Sequence, residues 1–598
     1  MGRARSAAAV LASTVAVTGI VAASAASTSV TTGTSGWPIP QGEQADGAYL
    51  TSSAGVSNVF TTTQKTSCFT PEVPYFTNLG PALGYTGMSP CNGAANTGED
   101  LGPYPSQAGS NPGYPADSPM LVKDHSESDI RVDPTNSDHI IGTSKWFVSA
   151  EGYNHQLGFY ESRDGGQTWN VQGHIPGFEG WTDSTDPVGA FDTYGNFWFF
   201  DLAYQFFYDK NEGHNFTVGK SQEPNPVQPA EVVGVTMRPH GATTANDWTT
   251  PEIVAAYDSK GNEPDKQWIT VDTGAASPFK NRMYTMWVNF HTLTPVPYVS
   301  YSQVTAADGT HTAWSTPQKL PEPAHVPQGS TYLLPHVAPD GAVYTTVTNF
   351  DPAHQFGAPA VTFIDKSTDG GATWKTLPGT ITIPNTPPLI YANTTFRDGI
   401  TDTFAIGPGL DSRHTYPLYL AYEDYGAGID NVLLTASYDD GQTWTSPIQV
   451  NDNSSSVDEF QPNLSVAPNG TVSVAWYDRR LPCPAAGSPE AAAAGITAFD
   501  PAAAGQSNYC VDASVQFYNA DLTPIGHNAR LTQHTWDPQL NAPHPGSAFS
   551  SETFIGDYFG NDASVGTTDW FTFVSTYNAG NANPQNYQQQ VVAKVATP

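Results

Sequence analysis

The chain has 598 residues and a formal net charge of −33 at pH 7, set by 56 Asp and Glu against 23 Lys and Arg. So large a negative excess excludes nucleic acid and anionic membrane surfaces as natural partners; it serves as a solvated acidic surface instead. Hydrophobic residues make up 38% and aromatic residues 12%, enough to bury a large core, while 54 Gly and 50 Pro exclude a fold of long helices.

The first 25 residues read as an export signal. Arg3 and Arg5 form a basic start, Ala7 to Ala23 a small-residue apolar run, and Ala23-Ser24-Ala25 a peptidase site. The run is short and Ala-rich for an anchor, and no later apolar run is long enough to span a bilayer. The expectation is a secreted, extracellular protein with no membrane insertion. Residues 26–120 are rich in Ser, Thr, Gly, Pro and Asn with little periodicity, and predict an irregular N-terminal arm. The four cysteines fall in two local pairs, Cys68 with Cys91 and Cys483 with Cys510, whose spacings fit no zinc site. In an oxidising compartment they predict two loop-stapling disulfides.

From about residue 121 to 598 the chain alternates short strands and turns, with no helical stripe. The Ala-rich stretch 488–505 has room for a helical turn, bounded by Pro and Gly. One unit, an inner hairpin followed by more polar strands, recurs at 128–146, 186–202, 265–287, 333–350, 396–424, 461–480 and 552–577. Its clearest copies are "LLPHVAPDGAVYTTVTNF" and "QPNLSVAPNGTVSVAWYDRR", aligned on Ala-Pro-Asp/Asn-Gly turns. After three of the hairpins, near the third strand, stands the same octapeptide, Ser-x-Asp-x-Gly-x-Thr-Trp. Its copies begin at Ser162, Ser367 and Ser437, and a degraded copy is read at 209–216. Gly closes a tight turn, the Asp carboxylate accepts backbone N–H groups across it, and Trp offers an apolar face to the next unit.

These octapeptides are Asp boxes, and the chain resembles the sialidase-like (Asp-box, or BNR-repeat) β-propeller superfamily over roughly 121–598. The resemblance implies an all-β propeller: seven units predict seven blades, with the six blades of sialidases as the alternative. The boxes lie on the rim in that family, so Asp164, Asp369 and Asp439 are expected to be structural. The resemblance also implies a carbohydrate or glycoconjugate ligand in a central pocket and an exo-acting, sialidase-like glycoside hydrolase. A polysaccharide lyase-like enzyme and a non-catalytic extracellular glycan- or protein-binding propeller are the alternatives, and a monomer is expected.

Inner strands of such a ring converge on one axis, so the polar residues where they begin are the candidate site. Asp129, Asp186, Glu459, Asp557 and Tyr558 are the candidate catalytic groups. Glu127, Arg131, Asp265 and Arg397 are the candidate substrate-binding groups. Crowded carboxyls raise one another's pKa, which suits general acid catalysis. Sialidases clamp the substrate carboxylate with three arginines and use a Tyr activated by a Glu as nucleophile. Here the family's Arg-Ile-Pro motif is missing, and "DIRVDP" places Arg131 in a similar location. Arg282 and Arg397 are the candidates to complete a triad, Arg479 and Arg480 their rivals, and Tyr558 in "FIGDYFG" the candidate nucleophile. No cofactor is expected. Calcium is considered only as a structural ion, since the oxygen-rich stretches 133–138 and 451–459 follow no EF-hand spacing.

Overall fold

The computed structural model describes residues 125–598 apart from short segments, the longest being 539–554, together with the strands Thr31–Thr32, Pro38–Ile39 and Asn58–Thr61. Cys68, Cys91, the degraded octapeptide's residues 210–212 and Glu552 lie outside the described residues. Seven small antiparallel sheets stand in a ring, a seven-bladed β-propeller. The first blade shows the plan: His125–Asp133, Asn136–Phe147, His155–Ser162 and Val171–His174 pair in order from the axis outward. The inner strands of the next blades are Asp183–Phe191, Asn262–Val271, His336–Val337, Asp402–Ile406, Glu459–Val466 and Gly560–Asp562. Each packs beside the next, and the seventh returns to the first. The seventh blade takes its outermost strand from the N-terminal arm, where Asn58–Thr61 pairs antiparallel with Gln589–Ala596.

Alternation drives this packing. Each strand sends every second side chain toward a neighbouring blade, so apolar clusters form between blades rather than at a single centre. Tyr419 and Leu434 of the fifth blade, for instance, bury against Val474 and Trp476 of the sixth. Two blades carry insertions between their second and third strands. The second holds a small sheet of three strands, Phe207–Asp209, Gly213–Asn215 and Ser221–Gln222. The sixth holds 479–511, closed by the Cys483–Cys510 disulfide. Within it Pro489–Ala493 is helical because Ser488 caps it, its Oγ accepting from Ala491 N at 3.0 Å, and Pro489 presets the first turn.

The three octapeptides fold alike, each between the third and fourth strands of its blade. In the first, Asp164 accepts from Thr168 N at 2.9 Å, Thr168 Oγ1 at 2.7 Å and Ser162 Oγ at 2.8 Å, and Ser162 Oγ accepts from Gly166 N at 2.8 Å. The copies at Asp369 and Asp439 repeat these bonds. Their donors, led by Thr168 N, hold the Asp164 carboxyl below its usual range. Gly166 sits at φ 74° with the Trp570 ring of the preceding blade where a Cβ would go, 2.6 Å away. Trp169 meets the same ring edge-on at 6.4 Å. Each octapeptide thus locks its own turn and seats a neighbouring blade. Asp369→Ala is expected to cost about 1 kcal/mol, as for the loss of an exposed cap. Gly166→Ala is expected to cost more, because it adds a clash with Trp570 to an unfavourable φ. Thermal unfolding of the two variants checks this order, and equal shifts would contradict it.

Candidate functional site: a carboxyl-rich channel mouth

The inner strands share a local irregularity. Pairing with the second strand slips between Ser126 and Ser128, Thr185 and Val188, Asp265 and Trp268, and Phe460 and Asn463. In each bulge one residue takes a left-handed backbone: Glu127 (φ 43°), Asp186 (57°), Lys266 (52°) and Gln461 (49°). None is glycine, so each conformation costs about 1–2 kcal/mol. A bulge re-aims a side chain, and these re-aim charged or amide groups toward the top of the ring. Pro187 and Pro462, which follow Asp186 and Gln461, suit a position that gives no N–H to the ladder.

The seven inner strands enclose a channel of about 350 Å3. Its walls include apolar Val132, Ile269, Phe404 and Leu464 and the charged Arg131; where the inner strands begin, at its mouth, stand Asp186, Lys266, Asp557 and Tyr558. Asp186 is the hub. Its charge bears on Glu127 on one side and on Asp265 on the other. Lys145, from the second strand of the first blade, reaches Glu127 at 3.2 Å and Asp186 at 3.8 Å. Burial alone would raise the Asp186 pKa. Lys145 and Lys266, with hydrogen bonds from Glu127 and Thr185, outweigh it and keep Asp186 ionised. Its two neighbours go the other way: burial and then the charge of Asp186 push Glu127 up to about 8. Asp265 is pushed up to about 6, by burial first, with Asp186 adding and Lys266 opposing. Glu127 is fully buried, whereas Asp265 retains partial exposure.

The remaining expected residues divide. Asp557 pairs with Arg397 at 2.7 and 3.1 Å and with Lys266 at 3.0 Å; these cations overcome burial and hold it ionised. Asp129 and Arg131 form an ion pair at 2.8 Å that clasps the next inner strand, since Asp129 accepts from Gly189 N at 2.9 Å while Arg131 Nε donates to Gly189 O at 3.0 Å. The Arg131 guanidinium also lies over Trp268, 5.8 Å from the ring centre. Asp129 is raised to about 6, by burial against Arg131. Tyr558 donates to Pro187 O at 3.2 Å; burial and the acids around it, Glu127 first, push its pKa well up, so its hydroxyl is a neutral donor. Glu459 does not join the mouth. It is buried inside the sixth blade, accepting from Trp476 Nε1 at 2.7 Å. Arg282 is on the rim, stacked on Phe279 and Tyr301 and donating to Gly370 O, so it makes no triad with Arg131 and Arg397. Arg479 and Arg480 are buried ion-pair partners of Asp458, Asp478 and Asp452. In the oxygen-rich stretches, Asp133 accepts from Thr135 and His139, and Asp452 faces Arg480.

Sequence reasoning missed Lys145, whose signal is a lone lysine between Ser144 and Trp146 in an otherwise uncharged strand end, and the Trp268 platform under Arg131. His336 lines the channel too. Burial, aided by Arg131, lowers its pKa to about 3, so its imidazole is neutral.

No family model matches the chain, and no curated protein matches it. Among solved structures, the Hadza microbial sialidase Hz136 is 14% identical, with a TM-score of 0.37 over 60% of this chain and 65% of that one. A protein of unknown function from Dyadobacter fermentans is 11% identical (TM-score 0.35) over 81% and 98%. Trypanosoma rangeli sialidase is 12% identical (TM-score 0.34) over 90% and 59%. This chain spans less than two thirds of the length of either sialidase.

The raised carboxyls have a consequence for stability. Glu127 binds its proton more tightly folded than unfolded, so its contribution is fully present below its ordinary pKa of 4.5 and is lost as pH rises through about 8. The melting temperature is expected to fall between pH 5 and pH 8, and Glu127→Gln, which keeps the donor and cannot ionise, is expected to flatten that slope. A Glu127→Gln profile parallel to the parent's would contradict the assignment.

Proposed function

We propose that the channel mouth is the active site of an exo-acting glycoside hydrolase. The observation that carries this reading is the charge coupling of Asp265 and Asp186 on adjacent inner strands, with Lys145 3.8 Å from Asp186: burial leaves Asp265 holding a proton near neutrality, while Lys145 and Lys266 hold Asp186 ionised. Two carboxyls pushed apart in pKa supply an acid and a base at one pH. Asp265, partly exposed, is the general acid for the leaving oxygen. Asp186, with Asp557, stabilises the positive, oxocarbenium-like transition state; water then adds to the anomeric carbon, and the proton it gives up returns to the Asp265 carboxylate and restores the acid. Tyr558 and His336 offer neutral polar groups to sugar hydroxyls, and Trp268 a face for the ring.

The same charges bear on the sugar. Arg131, Lys266 and Arg397 each face a carboxylate already, Asp129 or Asp557. The mouth therefore has little positive charge to spend on a substrate carboxylate, and a neutral glycoside suits it better than an acidic one. This departs from the three-arginine clamp of sialidases.

Screening the purified protein against neutral and acidic aryl-glycosides tests the reading. Turnover is expected on a neutral sugar, with kcat falling as pH rises through about 6. Asp265→Asn is expected to cut kcat by about 10²–10⁴, least with the best leaving groups, because these need no protonation. Full turnover in Asp265→Asn would sink the mechanism. Binding without turnover across the panel would leave a glycan-binding propeller.

A further inference from the structure

Next to the channel mouth, the fifth blade gathers three carboxylates of a different character. Asp398 precedes the inner strand, Glu423 is the last residue but one of the second strand, Leu418–Asp424, and Asp430 precedes the third, Asn431–Ser437. Each offers an oxygen within 4.8 Å of the other two, and all three residues are buried, at 1%, 2% and 0% exposure. Several other buried acids of this protein face a guanidinium: Asp458 meets Arg479, Asp478 meets Arg480, and Glu161 meets Arg238. Among the described residues Asp398 and Asp430 form no ion pair with lysine or arginine. Carboxylates removed from water without a countercharge either take up protons or hold a cation.

Two further observations favour the cation. Gln461, at the left-handed bulge of the sixth blade and 1% exposed, donates through Nε2 to Asp398 Oδ1 at 3.1 Å and to Gly556 O at 2.8 Å. That fixes its amide against the cluster, and its Oε1 is buried with no hydrogen-bond partner; so is Asp430 Oδ1. These are acceptors aimed where no protein donor reaches, and an unmet buried acceptor costs about 1–3 kcal/mol. The Tyr391 hydroxyl contacts both Asp398 Oδ2 and Asp430 Oδ2. It has one proton and can donate to only one of them, so, while Glu423 accepts from Gln461 N, this hydroxyl cannot satisfy both Asp398 and Asp430.

We propose that Asp398, Glu423, Asp430 and the Gln461 amide oxygen hold a calcium ion that staples the fifth blade to the sixth. All the donors are oxygens, which selects a hard cation and disfavours zinc or copper. Oxygens on opposite sides of calcium lie about twice 2.3–2.6 Å apart, a span compatible with this cluster, whereas magnesium keeps several waters that a buried cage of side chains does not offer. The ion also fixes the chain next to Arg397, which reaches into the mouth to hold Asp557. The proposal stands whether or not the mouth hydrolyses sugars, because it is read out by metal binding and stability.

The experiment uses the full chain, stripped with a chelator and titrated with calcium. Melting is expected to rise by several degrees in millimolar calcium over chelator, with a smaller rise in equal magnesium. Terbium is expected to bind in calcium's place and luminesce on tyrosine excitation through Tyr391, and calcium to quench that signal. Asp430→Asn is expected to lose both the calcium-dependent shift and the terbium signal; should it not fold, Glu423→Gln carries the same comparison. A parent whose melting and terbium emission ignore calcium overturns the proposal, and so does an Asp430→Asn or Glu423→Gln protein that keeps the full shift.

Discussion

A closed ring of sheets leaves the polar side chains at its axis little bulk water to retreat into. Whatever charge the inner strands bring there must be answered by the other inner strands. Glu127, Asp129, Asp186, Asp265 and Asp557 gather about the mouth, with Asp398 beside it, against Arg131, Lys145, Lys266 and Arg397. Cations are outnumbered, so the balance is made with protons. Glu127 and Asp265 retain theirs, and Asp398, raised to about 7 chiefly by burial, is poised to do so when no metal is bound. The spread of pKa values in the mouth is a consequence of closure as much as of any one neighbour.

Closure also explains the bulges. A regular strand alternates its side chains between two faces, both of which, near the axis, point at adjacent blades. To turn a side chain along the axis the backbone must leave the ladder, and it does so at Glu127, Asp186, Lys266 and Gln461 in the same way. Four blades accept this strain at corresponding points. The same strain repeated in four inner strands brings four bulges to one end of the channel.

The fold was legible in the sequence because its signals are local. Hairpins joined by Ala-Pro-Asp/Asn-Gly turns and octapeptides that satisfy their own backbone need no distant partner to be recognised, and all seven repeat units correspond to blades. The site was legible only in part. That Asp129, Arg131, Asp186, Asp265 and Asp557 stand near the axis follows from their place at the starts of inner strands. Which of them touch depends on bulges, and a bulge shifts facing by one residue without a clear mark in composition. Asp557 and Tyr558, adjacent in the chain, both line the channel even though regular alternation would part them. Glu459 shows the opposite error: it starts an inner strand, yet its carboxylate turns into the blade to meet Trp476. Lys145 was invisible because it comes from a second strand, where a charge reads as surface.

The strand Asn58–Thr61 completes the seventh blade although more than 500 residues of chain separate it from its partner, Gln589–Ala596. The other six blades are each assembled from one continuous stretch. Synthesis from the N-terminus therefore lets six blades form in order, while Asn58–Thr61, made before any of them, must wait for the last-made sheet. The ring is latched by its most non-local pairing, the kind that forms late and slowly. Until then the edge of Gln589–Ala596 presents unpaired backbone groups, a surface open to pairing with the same strand of another copy.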